Sequence, residues 1–191
     1  MKKIFLTLFF IILSTNLYAS NIKKVYFAGG CFWCMEESFD KVEGVIETIS
    51  GYSGGHVKNP KYKDVVKNTT GHYETLEITY NPSITNFEKL LEIFWVNIDP
   101  FDADGQFCDK GESYKSVVFY ENSDQKKIIE TSIKNIENKF NKKVVTSYVK
   151  NFKEFYMAET YHQNYYEKNF IRYLMYKKGC QREEVLNKIW G

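Results

Sequence analysis

The stretch Lys23–Val42, "KKVYFAGGCFWCMEESFDKV", decides the fold. Residues Lys23 to Ala28 alternate and are rich enough in β-branched and aromatic side chains to predict a strand. Gly29-Gly30 break the pattern, and Cys31 to Val42 is predicted as a helix. A strand that turns through two glycines into a helix is the opening of a β-α unit.

Working outward, Val45 to Tyr52 is predicted as a second strand, and the aperiodic stretch that follows, through Gly71, as a long ordered loop. A loop of that length is commonly functional. His72 to Tyr80 alternates again until Asn81-Pro82. Phe87, Leu90, Leu91, Phe94, Trp95 and Ile98 recur at helical spacing behind a cap at Thr85 or Asn86. After the loop "DPFDADGQFCDKGES" comes a strand from Tyr114 to Tyr120, a helix marked by Ile129, Ile133, Ile136 and Phe140, and a last strand, Lys143 to Val149. The expected class is α+β, a ferredoxin-like split β-α-β-β-α-β core with added elements, its antiparallel sheet covered by helices on one side. The C-terminal part is expected to be an irregular tail, with short helices at "YHQNYYEKN" and "REEVLNKIWG" and a turn at "YKKGCQ" between them.

Residues 1–19 stand apart. Lys2 and Lys3 precede an apolar run, Ile4 to Leu13, and Leu17-Tyr18-Ala19 suits a cleavage site; the run is too short to cross a bilayer. The expectation is a secretory signal over 1–19, a single catalytic domain over 20–191, and an exported, periplasmic or secreted protein with no membrane attachment after cleavage. The formal charge of +2 loses two lysines with the leader and becomes zero. Acidic and basic residues are interleaved, so nucleic acid is not an expected partner.

Export bears on Cys31, Cys34, Cys108 and Cys180, because an oxidising compartment permits disulfides. Three readings of Cys31 and Cys34 stand: a structural disulfide or core thiols, a zinc site, and redox or nucleophilic chemistry. Zinc lacks donors, since there is no second close cysteine pair and only three histidines. A calcium loop at Asp102, Asp104 and Gly105 fails because its first and twelfth positions are Pro100 and Gly111. Neither metal nor cofactor is expected. The redox reading follows from Cys31 at a helix start, where free N–H groups and the helix dipole favour thiolate. The dipole contributes about 0.3 to 2 kcal/mol, so further contacts must complete the activation. A thioredoxin-like exchanger is disfavoured by the bulk of Phe32 and Trp33 beside the thiol.

"GGCFWC", "GYSGG", "NPKY", "GHYE", "YNPS", "FEKLLEIFW", "DP", "GQFCDKGESYKS" and "YHQNYY" occur in an order and spacing that resembles the A-type peptide methionine sulfoxide reductases, from about Val25 to Gly191. The resemblance implies reduction of methionine S-sulfoxide, free or in proteins. It implies Cys31 as nucleophile, Glu74 as the acid that protonates the oxygen, Tyr62 and Tyr114 as phenols on that oxygen, and Phe32 and Trp33 as the wall for the substrate methyl group. Asp109 matches an acidic residue near the substrate backbone or an ordered water; His72 either lines the site or is structural. The sulfenic acid left on Cys31 is expected to be resolved by Cys180 on a mobile end, with Cys34 the next choice, and recycled by a thioredoxin-like reductant. Here the chain departs from the commonest family form, which has Gly after "GCFW" and its recycling cysteines in a glycine-rich tail. A monomer is expected. The rivals are a secreted dithiol oxidoreductase and a disulfide-stabilised binding module.

Overall fold

Alternation carries the sheet. In β1 (Lys23–Gly29), Val25 and Phe27 point to one face while Tyr26 and Ala28 point to the other, and both sets are buried. The computed structural model describes residues 22–150 and 154–191, so the leader expected over 1–19 lies outside the described residues. After β1 come α1 (Phe32–Asp40), β2 (Val45–Ser53), a one-turn α2 (Tyr62–Val65), β3 (Tyr73–Tyr80) and α3 (Phe87–Val96). Two short strands, β4 (Gly105–Gln106) and β5 (Asp109–Lys110), and a 3-10 turn, Glu112–Tyr114, lead into β6 (Ser116–Tyr120), α4 (Ser123–Phe140), β7 (Ser147–Lys150) and β8 (Phe155–Met157). A 3-10 turn, Thr160–His162, then precedes α5 (Tyr165–Lys168), α6 (Phe170–Gly179) and α7 (Arg182–Trp190).

The main sheet runs β7-β6-β1-β3-β2-β8. Its inner four strands, β6-β1-β3-β2, are antiparallel throughout, which is the expected split β-α-β-β-α-β arrangement. β8 adds antiparallel to β2, and β7 adds parallel to β6 through the crossover helix α4. Helices α1, α3 and α4 cover one face, enclosing Val25, Phe27, Leu76, Ile78 and Val118 against Met35, Phe39, Leu90, Phe94 and Ile129. Phe27 sits at the centre, with the rings of Phe94, Phe39 and Phe87 at centroid distances of 5.0, 5.7 and 6.2 Å.

The helix ends obey local chemistry. Asn86 caps α3 by accepting from Lys89 N–H at 2.8 Å, and Asn122 caps α4 by accepting from Asp124 and Gln125. That cap starts α4 at Ser123, earlier than the isoleucine spacing alone suggested. At the other end of β1, Gly30 has φ +79°, and a Cβ there would lie 2.6 Å from Cβ of Gln106. The glycine therefore lets the β4 loop press against the start of α1.

The tail is more regular than expected. Phe155–Met157 forms an edge strand and Phe170–Gly179 a ten-residue helix, both unforeseen, while the expected terminal helix is α7. The burying face of α6 is built from tyrosines, with Tyr173 3% exposed. A Tyr/Lys-rich helix lacks the aliphatic stripe by which the others are recognised.

Candidate active site

β3 delivers Glu74. Residues 74, 76, 78 and 80 share the strand face turned to the helices, and Leu76, Ile78 and Tyr80 fill the core. Glu74 occupies the same face at the start of the strand, where the first turn of α1 begins. Its Oε2 accepts the Phe32 backbone N–H at 3.1 Å, and the residue is 2% exposed. Burial is the main reason its carboxyl is held well above the ordinary range; the negative charges of Asp109 and Cys34 add to it, while the Phe32 N–H opposes. A carboxyl so placed holds its proton more tightly than an ordinary glutamate does.

Cys31 is the N-cap residue of α1, and its side chain makes no cap hydrogen bond. The expected thiolate is not the resting form of this sulfur. Burial pushes the Cys31 thiol well up, and the thiol donates to Cys34. Cys34, one turn inside α1 and also buried, is brought down to about 7, first by the hydrogen bond from Cys31 and then, against its own burial, by the charge of Arg182 and a bond to Tyr173. Of the two free thiols, Cys34 is thus the more readily ionised, and the pair titrates as a unit.

The two phenols named from the sequence face the same space. Tyr62 begins α2 and Tyr114 ends the 3-10 turn before β6, and their hydroxyls hydrogen-bond to each other. Tyr114 also interacts with the Glu74 carboxyl. Burial raises Tyr62 to about 12 and Tyr114 further, so both remain donors. Phe32 is buried against Tyr52 and Val65, and Trp33 lies partly exposed beside it.

Several shaping residues carry no signal in composition or spacing. His162 accepts the Trp33 indole N–H on Nδ1 at 3.2 Å, lies 4.4 Å from the Tyr62 ring, and is kept neutral by burial, its pKa lowered to about 4. Glu159 ties two neighbours down, accepting from the Tyr52 hydroxyl at 2.9 Å and from Tyr62 N–H at 3.1 Å. Tyr165 stacks on Trp33 at 3.8 Å, and Tyr176 meets the same indole edge-on. The "YHQNYY" stretch contains His162 and Tyr165, but only the fold brings them onto Trp33.

Asp109 is half-buried, accepts from the Tyr176 hydroxyl, and is raised by burial against the nearby charge of Arg182. His72 is structural: its Nδ1 accepts Gly55 N–H at 3.1 Å and its Nε2 bonds the Val57 carbonyl at 2.7 Å, pinning the long loop. Cys180 is not a free thiol. It caps the end of α6 and is disulfide-bonded to Cys108, 72 residues away, so the tail is tethered where mobility was expected. Of the two resolving candidates, Cys34 is the one in contact with Cys31. A cleft of about 420 Å³ lined by Trp95, Ile136 and Trp190 shares no residue with this site.

The family profile described as "Peptide methionine sulfoxide reductase" matches residues 23–191. A protein of Bacillus licheniformis, "Peptide methionine sulfoxide reductase MsrA", is 46% identical over 166 residues, covering 86% of this chain and 92% of the relative. "Peptide methionine sulfoxide reductase MsrA 2" of Staphylococcus aureus is 46% identical over 165 residues, 86% and 93% of the two chains. Among solved structures, reduced Mxr1 of Saccharomyces cerevisiae superposes with a TM-score of 0.71 at 29% identity, covering 78% of this chain and 86% of its own. Methionine sulfoxide reductase A of Corynebacterium diphtheriae gives a TM-score of 0.71 at 26% identity, with coverages of 78% and 75%.

Proposed function

The chain belongs to the peptide methionine sulfoxide reductase family, and from that membership we propose a division of labour among its site residues. The reaction is reduction of methionine sulfoxide to methionine. Cys31 is the nucleophile: as its proton passes to Cys34, the sulfur attacks the sulfoxide sulfur. Glu74 donates its proton to the oxygen, which would otherwise leave as an oxide too basic to expel. The Tyr62 and Tyr114 hydroxyls stabilise the charge developing on that oxygen. Phe32 and Trp33 receive the S-methyl group, and Asp109 holds the substrate backbone. Methionine departs and Cys31 is left as the sulfenic acid.

Cys34 then attacks the Cys31 sulfur, the S–O bond breaks, and the hydroxyl leaves as water with the proton from Cys34. The resulting disulfide is reduced by an external dithiol, for which a thioredoxin-like protein is the chemical expectation. The S epimer is the expected substrate, and the positively charged start and short apolar run of residues 1–19 support a reaction outside the cytoplasm.

One observation carries this reading. A buried carboxyl, its pKa held well above the ordinary range by burial, is bonded to the backbone N–H adjoining Cys31, with two phenols facing it. The test is turnover of a methyl sulfoxide peptide, as separate R and S epimers, with dithiothreitol as reductant. Loss of the S epimer alone is the expected result. Reduction of insulin without sulfoxide turnover would instead make the protein a disulfide exchanger.

A further inference from the structure

Arg182 opens α7 and is 3% exposed, yet none of the ion pairs among the described residues includes it. Its Nη2 donates to the Asn97 carbonyl at 2.5 Å and to the Met35 sulfur at 3.5 Å, and its guanidinium lies over the Phe107 ring at 4.4 Å. Those partners orient a cation without neutralising it. A buried cation left unanswered costs several kcal/mol, so its position calls for an anion nearby. Met35 follows Cys34 directly in α1, and the two acidic groups that feel the Arg182 charge are Cys34 and Asp109. Asp109 already accepts from Tyr176 and is also attracted by Lys110.

We propose that Arg182 is a positioning residue for the resolving step: its buried guanidinium supplies the positive charge that favours Cys34 as thiolate facing the Cys31 sulfur. The inference rests on the reading of Cys34 as the resolving thiol. In that step the Cys34 sulfur forms a bond to the Cys31 sulfur, the Cys31 S–O bond breaks, and the two thiol sulfurs together give up the two electrons that the sulfoxide received. Arg182 lowers the cost of releasing the Cys34 proton to the departing hydroxyl. The other groups facing Cys34 are Cys31 on its own helix, whose thiol donates to it, Tyr173 and Tyr176 from α6, Asp109 from β5, and Glu74 from β3, which opposes the thiolate if it is charged. The two phenols stay neutral, and a charged Asp109 opposes the thiolate, which leaves Arg182 as the cation that favours it.

The test uses the full chain with Cys108–Cys180 oxidised, so that Cys31 and Cys34 are the free thiols. Arg182→Met removes the charge while filling the space; Arg182→Gln keeps a donor for the Asn97 carbonyl should the methionine variant not fold. Thiolate absorbance against pH reads the pair's ionisation, and dimedone capture after one equivalent of methionine sulfoxide reads the sulfenic acid that waits for resolution. In both neutral variants the ionisation midpoint moves up by about one pH unit, and near neutral pH disulfide formation slows about tenfold with Cys31 trapped by dimedone. Arg182→Lys restores both, which a merely structural role would not produce. An unchanged midpoint in folded Arg182→Met or Arg182→Gln overturns the proposal. Disulfide formation on Cys31 at the wild-type rate in Cys34→Ser overturns it as well and removes the Cys34 reading beneath it.

Discussion

Replacing Glu74 with glutamine separates the proton from everything else the carboxyl does. Glutamine is neutral like the protonated acid, nearly isosteric with it, and its Oε1 can still accept the Phe32 N–H that Glu74 holds at 3.1 Å. The start of α1 and the position of Cys31 are therefore preserved. An ordinary glutamate with a pKa near 4.3 would carry its proton in about one molecule in 500 at neutral pH, a handicap of about 3.7 kcal/mol. Burial at 2% exposure reduces that handicap. What Glu74→Gln loses is the transferable proton, and a positioned acid is worth about 10²- to 10⁴-fold, or roughly 3 to 5 kcal/mol. The measurement is single-turnover formation of methionine from a methyl sulfoxide peptide, between about pH 6 and about pH 9. The wild-type rate falls at the alkaline end as Glu74 ionises through its raised pKa; in the variant this alkaline limb is absent and the rate is low throughout, rising only with ionisation of the Cys31–Cys34 pair. A Glu74→Gln enzyme within about threefold of wild type, with the alkaline limb intact, refutes the assignment.

Two stability measurements probe the frame around the site. The Cys108–Cys180 bond closes a loop spanning 72 residues, for which chain entropy gives about 4 kcal/mol, so Cys108→Ser with Cys180→Ser should lower the urea unfolding free energy by about 2 to 4 kcal/mol, with the m-value rising as the unfolded chain loses its cross-link. A change below about 0.5 kcal/mol would mean that the bond does not brace α6. Glu36 is fully buried in α1, its carboxylate facing the Asn164 and Tyr165 backbone without closing a well-formed hydrogen bond, and burial raises it to about 7. The folded state binds this proton more tightly than the unfolded chain, so the contribution is complete below about pH 4.5 and is lost as pH rises to about 7. Its ceiling is about 3 kcal/mol, and with relaxation about 1 to 2. Unfolding curves across that window should be flatter in Glu36→Gln than in wild type; equal slopes would count against a buried ionisable Glu36.

Much of the fold was legible because its signals are short-range. The apolar alternation around Val25 and Phe27, the isoleucines of α4 and the stripe from Phe87 to Ile98 each state a period that a single strand or helix must satisfy. Asn86 and Asn122 announce helix starts by the same local logic. Tyr114 shows the boundary of such reasoning: expected at the head of a strand, it ends a 3-10 turn, because Gly111 at φ +117° redirects the chain immediately before it. α6 was missed because its contacts are tyrosines whose hydroxyls find partners far away in sequence, Tyr173 on Glu37 at 2.7 Å and Tyr176 on Asp109.

By itself, the sequence determined the ferredoxin-like order of elements, since period and turn chemistry are written along the chain, and through its family resemblance it pointed to Cys31, Phe32, Trp33, Glu74, Tyr62 and Tyr114 as one cluster. Tertiary structure alone decided how the protons and thiols are distributed. A pKa depends on burial and on charges brought close from other elements, so it is the packing that raises Glu74, raises Cys31 beside a more readily ionised Cys34, and brings the charge of Arg182 to bear on Cys34. Disulfide partners likewise follow from distance in space, and the same folding that joins Cys108 to Cys180 leaves Cys34 in contact with Cys31.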